Sequence, residues 1–349
     1  MRICFIETEP SERLFFETAF GGHEVTFADT LDEAKRDTQI LCLYFHTPID
    51  ATVLDRFRQL DLITTRSMGY DHIHIALCTG RGITVCNVPG TDANSVAEHT
   101  FALMLALSRR LIEVREAKKQ PRFSYERLRS FELKNKILGV VGTGRIGLRV
   151  THIALAFGMQ VIAYEPYRQS LMAEIMGVRY VPFDELLSCS NVISIHSPLT
   201  SETLHMFDRA AFSKMRRGVL LINTARGAII DMVALTEALD EGIVAGAGLD
   251  VLEEEKVMQK EATRIITDRI VKRLQTANSE ESDIQNPQRI KQLQTLMDNK
   301  KLLERRNVLF TPHVAFNSIE AVERINTVTV ENINSYLRGK PINVVGHKC

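Results

Sequence analysis

Residues 136–166 read KILGVVGTGRIGLRVTHIALAFGMQVIAYEP, and this stretch decides the fold. The apolar run Ile137–Val141 predicts a buried strand, and the glycine-rich segment Gly142–Gly147 (GTGRIG) follows it at once. Apolar residues recur at helical spacing from Leu148 to Phe157, and Gln160–Tyr164 then predicts a second strand. The stretch is therefore expected to form a βαβ unit.

The glycines of this segment have separate physical roles. Gly142 allows the tight turn, Gly144 lets the backbone approach a pyrophosphate, and Gly147 lets the helix pack on the strand. The amide groups and the dipole at the helix N-terminus favour a bound phosphate. The segment therefore predicts dinucleotide binding, rather than a flexible glycine turn that binds nothing.

Glu165 stands at the C-terminal end of the second predicted strand. A carboxylate there can accept hydrogen bonds from both hydroxyls of an adenosine ribose. A 2′-phosphate would meet the same carboxylate, so the position favours NAD over NADP. Arg168 lies close enough in the chain to weaken that preference.

Composition narrows the class of protein. The chain has 349 residues, a length that predicts two domains, and its formal net charge is zero, which favours neither nucleic acid nor an anionic membrane as a partner. No apolar run approaches the roughly 20 residues of a membrane span. The N-terminal residues MRICFIETEP lack a signal-peptide pattern, and the six cysteines include no CxxC pair, so we expect a reduced, cytoplasmic protein. His and Cys never cluster at ligand spacing, so no metal site is predicted.

Short apolar runs alternate with helical or turn-like stretches along most of the chain, which predicts parallel α/β sheets. In the first part these runs are Arg2–Ile6, Val25–Phe27, Ile40–Tyr44, Leu62–Thr65 and Thr84–Cys86. After the βαβ unit they are Val178–Val181, Val192–Ile195, Val219–Ile222, Ala245–Leu249 and Val308–Phe310. The second set, with the two strands of the βαβ unit, predicts a doubly wound sheet.

Two helices and a long connection complete the expected architecture. Ser95–Leu111 is almost wholly apolar through its middle, so it should be buried. The helix Ser318–Leu337 and a strand at Ile342–Val345 are expected to return to the first domain. The domains are therefore predicted as 1–98 with 315–349, and 99–314 inserted between them. Residues 256–306 predict a charged helical insertion, and surface helices are favoured over a lid.

Ligands of doubly wound sheets bind beyond the carboxyl ends of the strands, so the residues after each strand carry the functional prediction. Arg226 follows a strand directly and is flanked by the small residues Ala225 and Gly227, which leave room for a carboxylate. His313 follows the last strand, and an imidazole, with an ordinary pKa of about 6.5, suits general acid–base chemistry. An anchoring Arg and an acid–base His are what hydride transfer to a 2-keto acid needs besides the cofactor.

Other residues compete for supporting roles. A carboxylate beside His313 would favour the protonated imidazole, and spacing alone does not choose among Glu253, Glu254 and Glu255. His99 lies in the apolar helix and is expected to make a structural hydrogen bond. His196 follows a strand and is expected to line the dinucleotide groove, while Asp250, directly at a strand end, suits the nicotinamide end of the cofactor.

Taken together, these motifs resemble the D-2-hydroxyacid dehydrogenase family, and most closely its NAD-dependent D-lactate dehydrogenase branch. The matching stretches run from about Ile63 to Phe316. They are TRSMGYDHIHI, CNVPGTDANSVAEHTFALMLALSR, LGVVGTGRIG, VIAYEP, ISIHSPLT, LLINTARGAIIDMVAL, GAGLDVLEEE and LFTPHVAF. The resemblance implies two parallel-sheet domains, Rossmann-like and flavodoxin-like, with the cofactor domain inserted into a discontinuous substrate domain.

The resemblance also implies an Arg–Glu–His triad at Arg226, Glu255 and His313, and thereby selects Glu255 from the acidic run. It implies that the backbone N–H groups of Met68 and Gly69 hold the substrate carboxylate. Phe45 or Tyr44, with Met68 and Phe316, would shape a small apolar pocket for the substrate side chain. NAD contacts are predicted at Gly142, Gly144, Arg145, Ile146, Gly147, Glu165, His196, Pro198, Thr203, Thr224, Ala225, Arg226, Asp250 and His313.

The expected activity is NAD-dependent reduction of a small 2-keto acid, pyruvate first, to the D-hydroxy acid by a homodimer. Departures at Gly90-Thr91-Asp92 and at Asn317, near the expected substrate pocket, leave glyoxylate, hydroxypyruvate or a bulkier keto acid open as substrates. An NADH-sensing protein that resembles the family's corepressor relatives is the alternative of another class. An Arg, a Glu and a His at the three triad positions argue against it.

Overall fold

The computed structural model describes residues 1–117, 126, 128–166, 171–253 and 299–346. The chain divides into two compact units, Met1–Asp92 with Phe316–Cys349, and Ala93–Ala315. The first unit is thus drawn from both ends of the sequence and the second from its middle. The boundaries lie near residues 92 and 315, and the boundaries expected from sequence lay at 98 and 314.

The elements of the described residues are as follows. The strands are β1 (Arg2–Ile6), β2 (Glu24–Ala28), β3 (Ile40–Leu43), β4 (Leu62–Thr65), β5 (Thr84–Cys86), β6 (Ile137–Val141), β7 (Gln160–Tyr164), β8 (Arg179–Tyr180), β9 (Val192–Ile195), β10 (Val219–Asn223), β11 (Val244–Leu249) and β12 (Val308–Phe310). The helices are α1 (Pro10–Ala19), α2 (Ala51–Arg56), α3 (Ile75–Gly80), α4 (Ala93–Ser108), α5 (Leu111–Ala117), α6 (Arg145–Ala156), α7 (Leu171–Ile175), α8 (Phe183–Cys189), α9 (Arg209–Lys214), α10 (Met232–Asp240) and α11 (Ile319–Leu337).

The first unit contains a five-stranded sheet in the order β2-β1-β3-β4-β5, with every neighbouring pair parallel. Strands β3 and β4 are buried along their whole length, because a parallel sheet is covered by helices on both faces. One apolar cluster is built around Leu41, Leu43 and Ile63. Another joins the Phe residues of β1 and α1 to Ile333 of α11, so the C-terminal helix packs in the core of this unit.

The second unit contains a seven-stranded sheet in the order β12-β11-β10-β9-β6-β7-β8, again with every neighbouring pair parallel. From β6 the chain passes to β7 on one side and later to β9 on the other. Strand order therefore reverses between β6 and β9, where doubly wound sheets bind their ligands. The predicted fold class, two parallel-sheet α/β domains, is confirmed.

Two local predictions are wrong. The helix expected over Ser95–Leu111 ends at Ser108, and α5 begins three residues later, because Arg110 adopts a left-handed backbone (φ 53°). Ile342–Val345 is not a strand: Val344 makes one isolated antiparallel bridge to Cys86. Pro341 lacks an N–H and Asn343 is left-handed (φ 53°), so an extended ladder cannot form there.

Some predicted features fall outside the described residues. These are Arg168, Glu254, Glu255 and residues 256–298 of the expected insertion. Residues 299–303, at the end of that insertion, are helical. Across the described residues, no helix combines the length and the apolar character that a membrane crossing requires.

Candidate active site

The glycine turn after β6 has the close approaches that its sequence predicts. Gly142 has φ +95°, and a Cβ there would lie 2.8 Å from both the carbonyl carbon of His196 and the nitrogen of Ser197. A Cβ on Gly147 would overlap the carbonyl oxygen of Gly142, so only glycine lets α6 start this close to β6. The turn therefore requires glycine at both positions.

A dinucleotide fits this turn because the structure leaves space at the right place. A Cβ built on Gly144, which precedes the first turn of α6, meets nothing within 4 Å among the described residues. Arg145 and Ile146 begin that turn. The backbone amides of a helix's first turn can donate hydrogen bonds to a phosphate. Open space beside a twelve-residue helix's N-terminus suits the pyrophosphate of NAD.

Glu165 lies beside the same turn. Its Oε2 accepts a hydrogen bond from the backbone N–H of Thr143 at 3.1 Å. The hydroxyl of Tyr180, on β8, donates to Thr143 Oγ1 at 3.0 Å, which ties a third strand to the turn. A carboxylate held at the end of β7 agrees with the ribose-binding role expected for an NAD site.

His196 follows β9, on the other side of the point where strand order reverses. Its Nε2 lies 2.7 Å from Ser194 Oγ, and its enclosed Nδ1 has no hydrogen-bond partner among the described residues. Burial lowers the pKa of His196 to about 3, so the ring is neutral near pH 7. An enclosed, neutral imidazole against the glycine turn is consistent with the predicted cofactor groove.

The loop after His196 is organised by Thr203. Its hydroxyl donates to the carbonyl oxygen of Pro198 at 2.7 Å and accepts from the N–H of Thr200 at 2.8 Å. Thr203 is buried, whereas Pro198 is exposed. Thr203 therefore shapes the loop from within, and Pro198 is the member of the pair that presents surface.

The loop that carries Arg226 is fixed by the last residue of β10. Asn223 is fully buried, and its side chain accepts from the N–H of Ala225 at 3.0 Å and donates to the carbonyl oxygen of Arg226 at 2.9 Å. A Cβ on Gly227 would overlap the backbone of Leu252 and Glu253, so this loop packs directly on the chain that follows β11. Arg226 itself is half-buried, and its Nη1 donates to the carbonyl oxygen of Ala225 at 2.8 Å.

Asp250, directly after β11, anchors the loop that carries His313. Its Oδ1 accepts from the Thr311 hydroxyl at 2.5 Å and from the Val314 N–H at 3.0 Å, and its Oδ2 accepts from the Ala315 N–H at 2.9 Å. The N–H of His313 donates to the backbone oxygen of Asp250 at 2.7 Å. Four residues of one loop are thus held by a single aspartate.

This anchoring explains the backbone of His313, which is left-handed (φ 54°) although histidine has a Cβ. Such a conformation costs energy and persists where its surroundings determine it, often at functional sites. Burial raises the pKa of the Asp250 carboxyl, while its hydrogen bonds and the nearby His313 act in the opposite direction. Both carboxylate oxygens of Asp250 accept hydrogen bonds from the loop. A contact between the Asp250 side chain and the cofactor stays a prediction.

The predicted triad is brought together in part. Arg226, Asp250 and His313 follow β10, β11 and β12, which are neighbours in the sheet and end at the same edge. Glu255 lies outside the described residues. Glu253, its rival in the acidic run, is bonded to His205 Nε2 through both carboxylate oxygens at 3.2 Å.

In the first unit, the loop after β4 contains Met68 and Gly69. The carbonyl oxygen of Met68 accepts from Asn87 Nδ2 at 2.7 Å, and that of Gly69 accepts from Ser67 Oγ at 2.7 Å. Neither the N–H of Met68 nor that of Gly69 donates a hydrogen bond to another of the described residues. Paired donors of this kind suit a carboxylate.

That loop begins at Arg66, whose side chain is fully buried. Its Nη2 makes a 2.9 Å ion pair with Glu12 of α1, and its guanidinium lies 3.9 Å from the centre of the Tyr44 ring. Tyr44, Phe45 and Phe316 form an aromatic cluster, with the rings of Phe45 and Phe316 edge to face at 5.8 Å. The predicted pocket residues Phe45 and Phe316 are therefore in contact, while Tyr44 also covers Arg66.

Several of these contacts were not predicted from the sequence. The hydrogen bonds by which Asp250 holds the His313 loop were not predicted, and its predicted contact with the cofactor stays a prediction. The Arg66–Glu12 pair, the His205–Glu253 pair and Tyr180 were not identified. Each of these contacts joins residues that are far apart in the chain, as does the hydrogen bond from Tyr180 to Thr143. The spacing of residues within one segment therefore gives no indication of them. No cluster of three His, Cys, Asp or Glu side chains able to hold a metal ion occurs in the part of the chain that the structure describes.

Comparison with known proteins identifies the class to which this fold and site belong. Residues 101–315 match the family model described as D-isomer specific 2-hydroxyacid dehydrogenase, NAD binding domain. This match covers more than half of the chain, and the chain therefore belongs to the D-isomer specific 2-hydroxyacid dehydrogenase family. It is an oxidoreductase of that family, and its cofactor is NAD.

Individual relatives have different names. A glyoxylate reductase of Korarchaeum cryptofilum is 33% identical over 321 residues, which are 90% of this chain and 85% of that protein. A D-lactate dehydrogenase of Escherichia coli is 31% identical over 328 residues, 91% of each. The crystal structure of a D-lactate dehydrogenase from Aquifex aeolicus, complexed with NAD and lactic acid, is 32% identical with a TM-score of 0.84, and the match covers 99% of this chain and 100% of that one.

Proposed function

We propose that this protein is an NAD-dependent D-lactate dehydrogenase that reduces pyruvate to D-lactate. The single observation that carries the proposal is the arrangement of loops at one edge of the second unit's sheet. There the loops of Arg226 and His313 flank Asp250 at the ends of three neighbouring strands, in a unit that binds NAD. Bound NADH supplies the hydride, and the chain's own residues must bind, orient and protonate the keto acid.

Arg226 would anchor the substrate. A guanidinium can hold a carboxylate through two parallel hydrogen bonds, which fixes orientation as well as position, and lysine cannot reproduce this contact. The hydrogen bonds of Asn223 to both sides of the loop support this role, because they fix the backbone from which Arg226 extends. In the first unit, Met68 and Gly69 offer N–H groups suited to a carboxylate.

His313 would protonate the carbonyl oxygen as hydride reaches the carbon. Its loop is held at four points by Asp250, so the imidazole starts from a determined backbone rather than a mobile one. Glu255 would stabilise the protonated imidazole and fix its orientation. A separate carboxylate is needed because Asp250 is already bonded to its own loop.

Reduction of glyoxylate is the second candidate activity, favoured by the relative from Korarchaeum cryptofilum that carries that name. Glyoxylate has hydrogen where pyruvate has a methyl group. The aromatic cluster of Tyr44, Phe45 and Phe316 supports pyruvate instead, because apolar rings favour a methyl group over a hydrogen by the roughly 0.8 kcal/mol of a buried methylene.

A panel of keto acids tests the proposal. The purified chain would be assayed with NADH and pyruvate, glyoxylate, hydroxypyruvate or 2-ketoisocaproate, and kcat/KM compared. Pyruvate should give the highest value. A higher value for glyoxylate would assign the second candidate, and NADH binding without turnover of any keto acid would favour the corepressor-like alternative.

We also propose that the protein is a homodimer, as the family resemblance implies, and its cytoplasmic location stays a prediction. Light scattering coupled to size-exclusion chromatography tests the dimer directly. A mass near the 39.4 kDa of one chain would contradict it.

A further inference from the structure

Helix α4 lies along β11 in a fixed register, because β11 contains glycines where the helix approaches. A Cβ on Gly248 would lie 3.0 Å from Leu103 Cβ, and one on Gly246 would lie 3.3 Å from a methyl carbon of Leu107. Leu103 and Leu107 are one helical turn apart, so they lie on the same face. One turn before Leu103 on that face is His99, and beyond Gly248 along the strand is Asp250.

The register brings His99 to the loop that carries His313. His99 Nε2 lies 2.9 Å from Thr311 Oγ1 and 3.5 Å from Asp250 Oδ1. The Thr311 hydroxyl has one hydrogen, and it is donated to Asp250 at 2.5 Å. Thr311 Oγ1 must therefore accept from His99, which places a hydrogen on Nε2 of that ring.

The next residue of α4 reaches the other loop. The Thr100 side chain is fully buried and donates to the carbonyl oxygen of Val96 at 2.8 Å. Its oxygen also lies 3.0 Å from Thr224 Oγ1. Since the one hydrogen of Thr100 is used within the helix, Thr224 is the donor, and the loop that leads to Arg226 is bonded to α4.

We propose that the consecutive side chains His99 and Thr100 are positioning residues for the active site: His99 fixes the loop of His313, and Thr100 fixes the loop of Arg226. The proposal deepens the function proposed above and rests on it. One rigid helix thereby sets the positions of the proton donor and the carboxylate anchor relative to each other, without touching the substrate.

Two variants separate the two roles kinetically. His99→Leu removes the donor to Thr311 and keeps the side-chain bulk, so it should lower kcat by on the order of tenfold to a hundredfold. Thr100→Val removes the acceptor for Thr224 and keeps the shape, so it should chiefly raise KM for the keto acid. Affinity for NADH should change less than these parameters in both variants, because most of the predicted cofactor contacts lie in the glycine turn and the other loops. His152→Leu, the same change at an exposed site on α6, is the control and should match wild type.

A merely structural role would lower stability without this split. His99→Gln retains an N–H donor of similar reach, so it should restore kcat to within about threefold of wild type, the lower end of a hydrogen bond's net contribution. Hydrogen exchange of the peptide covering 311–315, measured without cofactor, gives an independent readout. His99→Leu should accelerate the exchange of this peptide about threefold to tenfold. The Val314 and Ala315 amides donate to Asp250, and the variant removes the hydrogen bond from His99 to Thr311 that holds the same loop.

The outcomes are distinct. Unchanged kcat in His99→Leu, or unchanged exchange in residues 311–315, would overturn the positioning role of His99. Equal changes of kcat and KM in the His99 and Thr100 variants would overturn the division of labour. A wild-type chain that binds NADH and turns over no keto acid would contradict the proposed function, and the exchange measurement would still decide whether His99 holds the His313 loop.

Discussion

The two sheets of this protein follow the same topological rule and fill the resulting site differently. Strand order reverses between β1 and β3 in the first unit and between β6 and β9 in the second. At the first reversal, Glu7 accepts a hydrogen bond from Thr47 at 3.2 Å and lies 3.4 Å from His46 Nδ1. At the second, Gly144 leaves open space.

The difference shows that the reversal of strand order does not by itself make a phosphate site, and that the charge and volume of the side chains at the reversal decide what can bind there. A carboxylate and an imidazole occupy the crevice of the first unit, and a bound pyrophosphate would meet negative charge there. The glycine turn of the second unit offers helix amides and space instead. The donors suited to an anion in the first unit, at Met68 and Gly69, lie after β4, away from its reversal point.

The largest effect is expected from replacing His313, the proposed proton donor in the second unit. His313→Ala should lower kcat for pyruvate reduction by about 10²- to 10⁴-fold, the usual contribution of a general acid, and leave NADH affinity nearly unchanged. His205→Ala is the matched control, since His205 is also a left-handed histidine of this unit (φ 49°). Steady-state kinetics and NADH fluorescence check both, and equal losses in the two variants would contradict the assignment.

The second effect tests the open space at Gly144. Gly144→Val places a side chain where the pyrophosphate is expected, and should weaken NADH binding at least about a hundredfold, or about 2.7 kcal/mol. Gly22→Val, in the first unit, also points into open space and should leave affinity unchanged. Calorimetric titration compares them. Near-native affinity in Gly144→Val would remove the argument for this turn as the pyrophosphate site.

The third effect compares two acids, each near the end of a strand. Glu165→Gln should weaken NADH binding about tenfold, because hydrogen bonds to a charged group are lost, and should narrow the preference for NADH over NADPH. Glu7→Gln, at the reversal point of the first unit, should change neither. Affinities for both cofactors decide the point, and an unchanged preference in Glu165→Gln would show that another group selects NAD.

The fourth effect concerns the stability of the second unit in acid rather than the binding of a ligand. The pKa of His196 is lowered to about 3 in the folded chain, whereas an unfolded histidine titrates near 6.5. Below that value the unfolded state binds a proton that the folded state does not, so the stability contributed by neutral His196 is lost as pH falls from about 6.5 towards 3. The slope is at most about 1.4 kcal/mol per pH unit.

His196→Asn should therefore make the unfolding free energy less sensitive to pH in that window, while His152→Asn, at an exposed site, should not. Urea unfolding at several pH values measures the slope. Parallel curves for wild type and His196→Asn would show that His196 is protonated in the folded chain as readily as in the unfolded one.

Local sequence signals explain most of the fold. Runs such as Ile40–Leu43 and Val192–Ile195 are apolar throughout because their strands are covered on both faces, and the glycine turn follows from residue types at fixed spacing. Ile342–Val345 failed as a strand because Pro341 and the left-handed Asn343 interrupt an apolar run that resembles one. The apolar residues of this segment therefore did not indicate the backbone conformation that it adopts.

The placement of Arg226 and His313 at one edge of the sheet was predictable, because each follows an apolar run that forms a strand. Their roles toward the substrate stay predictions. The site was not predictable where one residue determines the conformation of another. Asp250 and Thr311 are 61 positions apart, and His99 and Thr311 are 212 apart. Those contacts exist because β11, β12 and α4 pack together, and a single sequence does not encode that packing locally.

The stereochemistry of the product tests the central claim most directly, because the family's site must deliver hydride to one face of the keto acid. Pyruvate and NADH would be incubated with the chain and the lactate separated on a chiral column. We predict D-lactate, with one molecule formed for each NADH consumed. L-lactate, a racemic product, or NADH that stays unoxidised would contradict it.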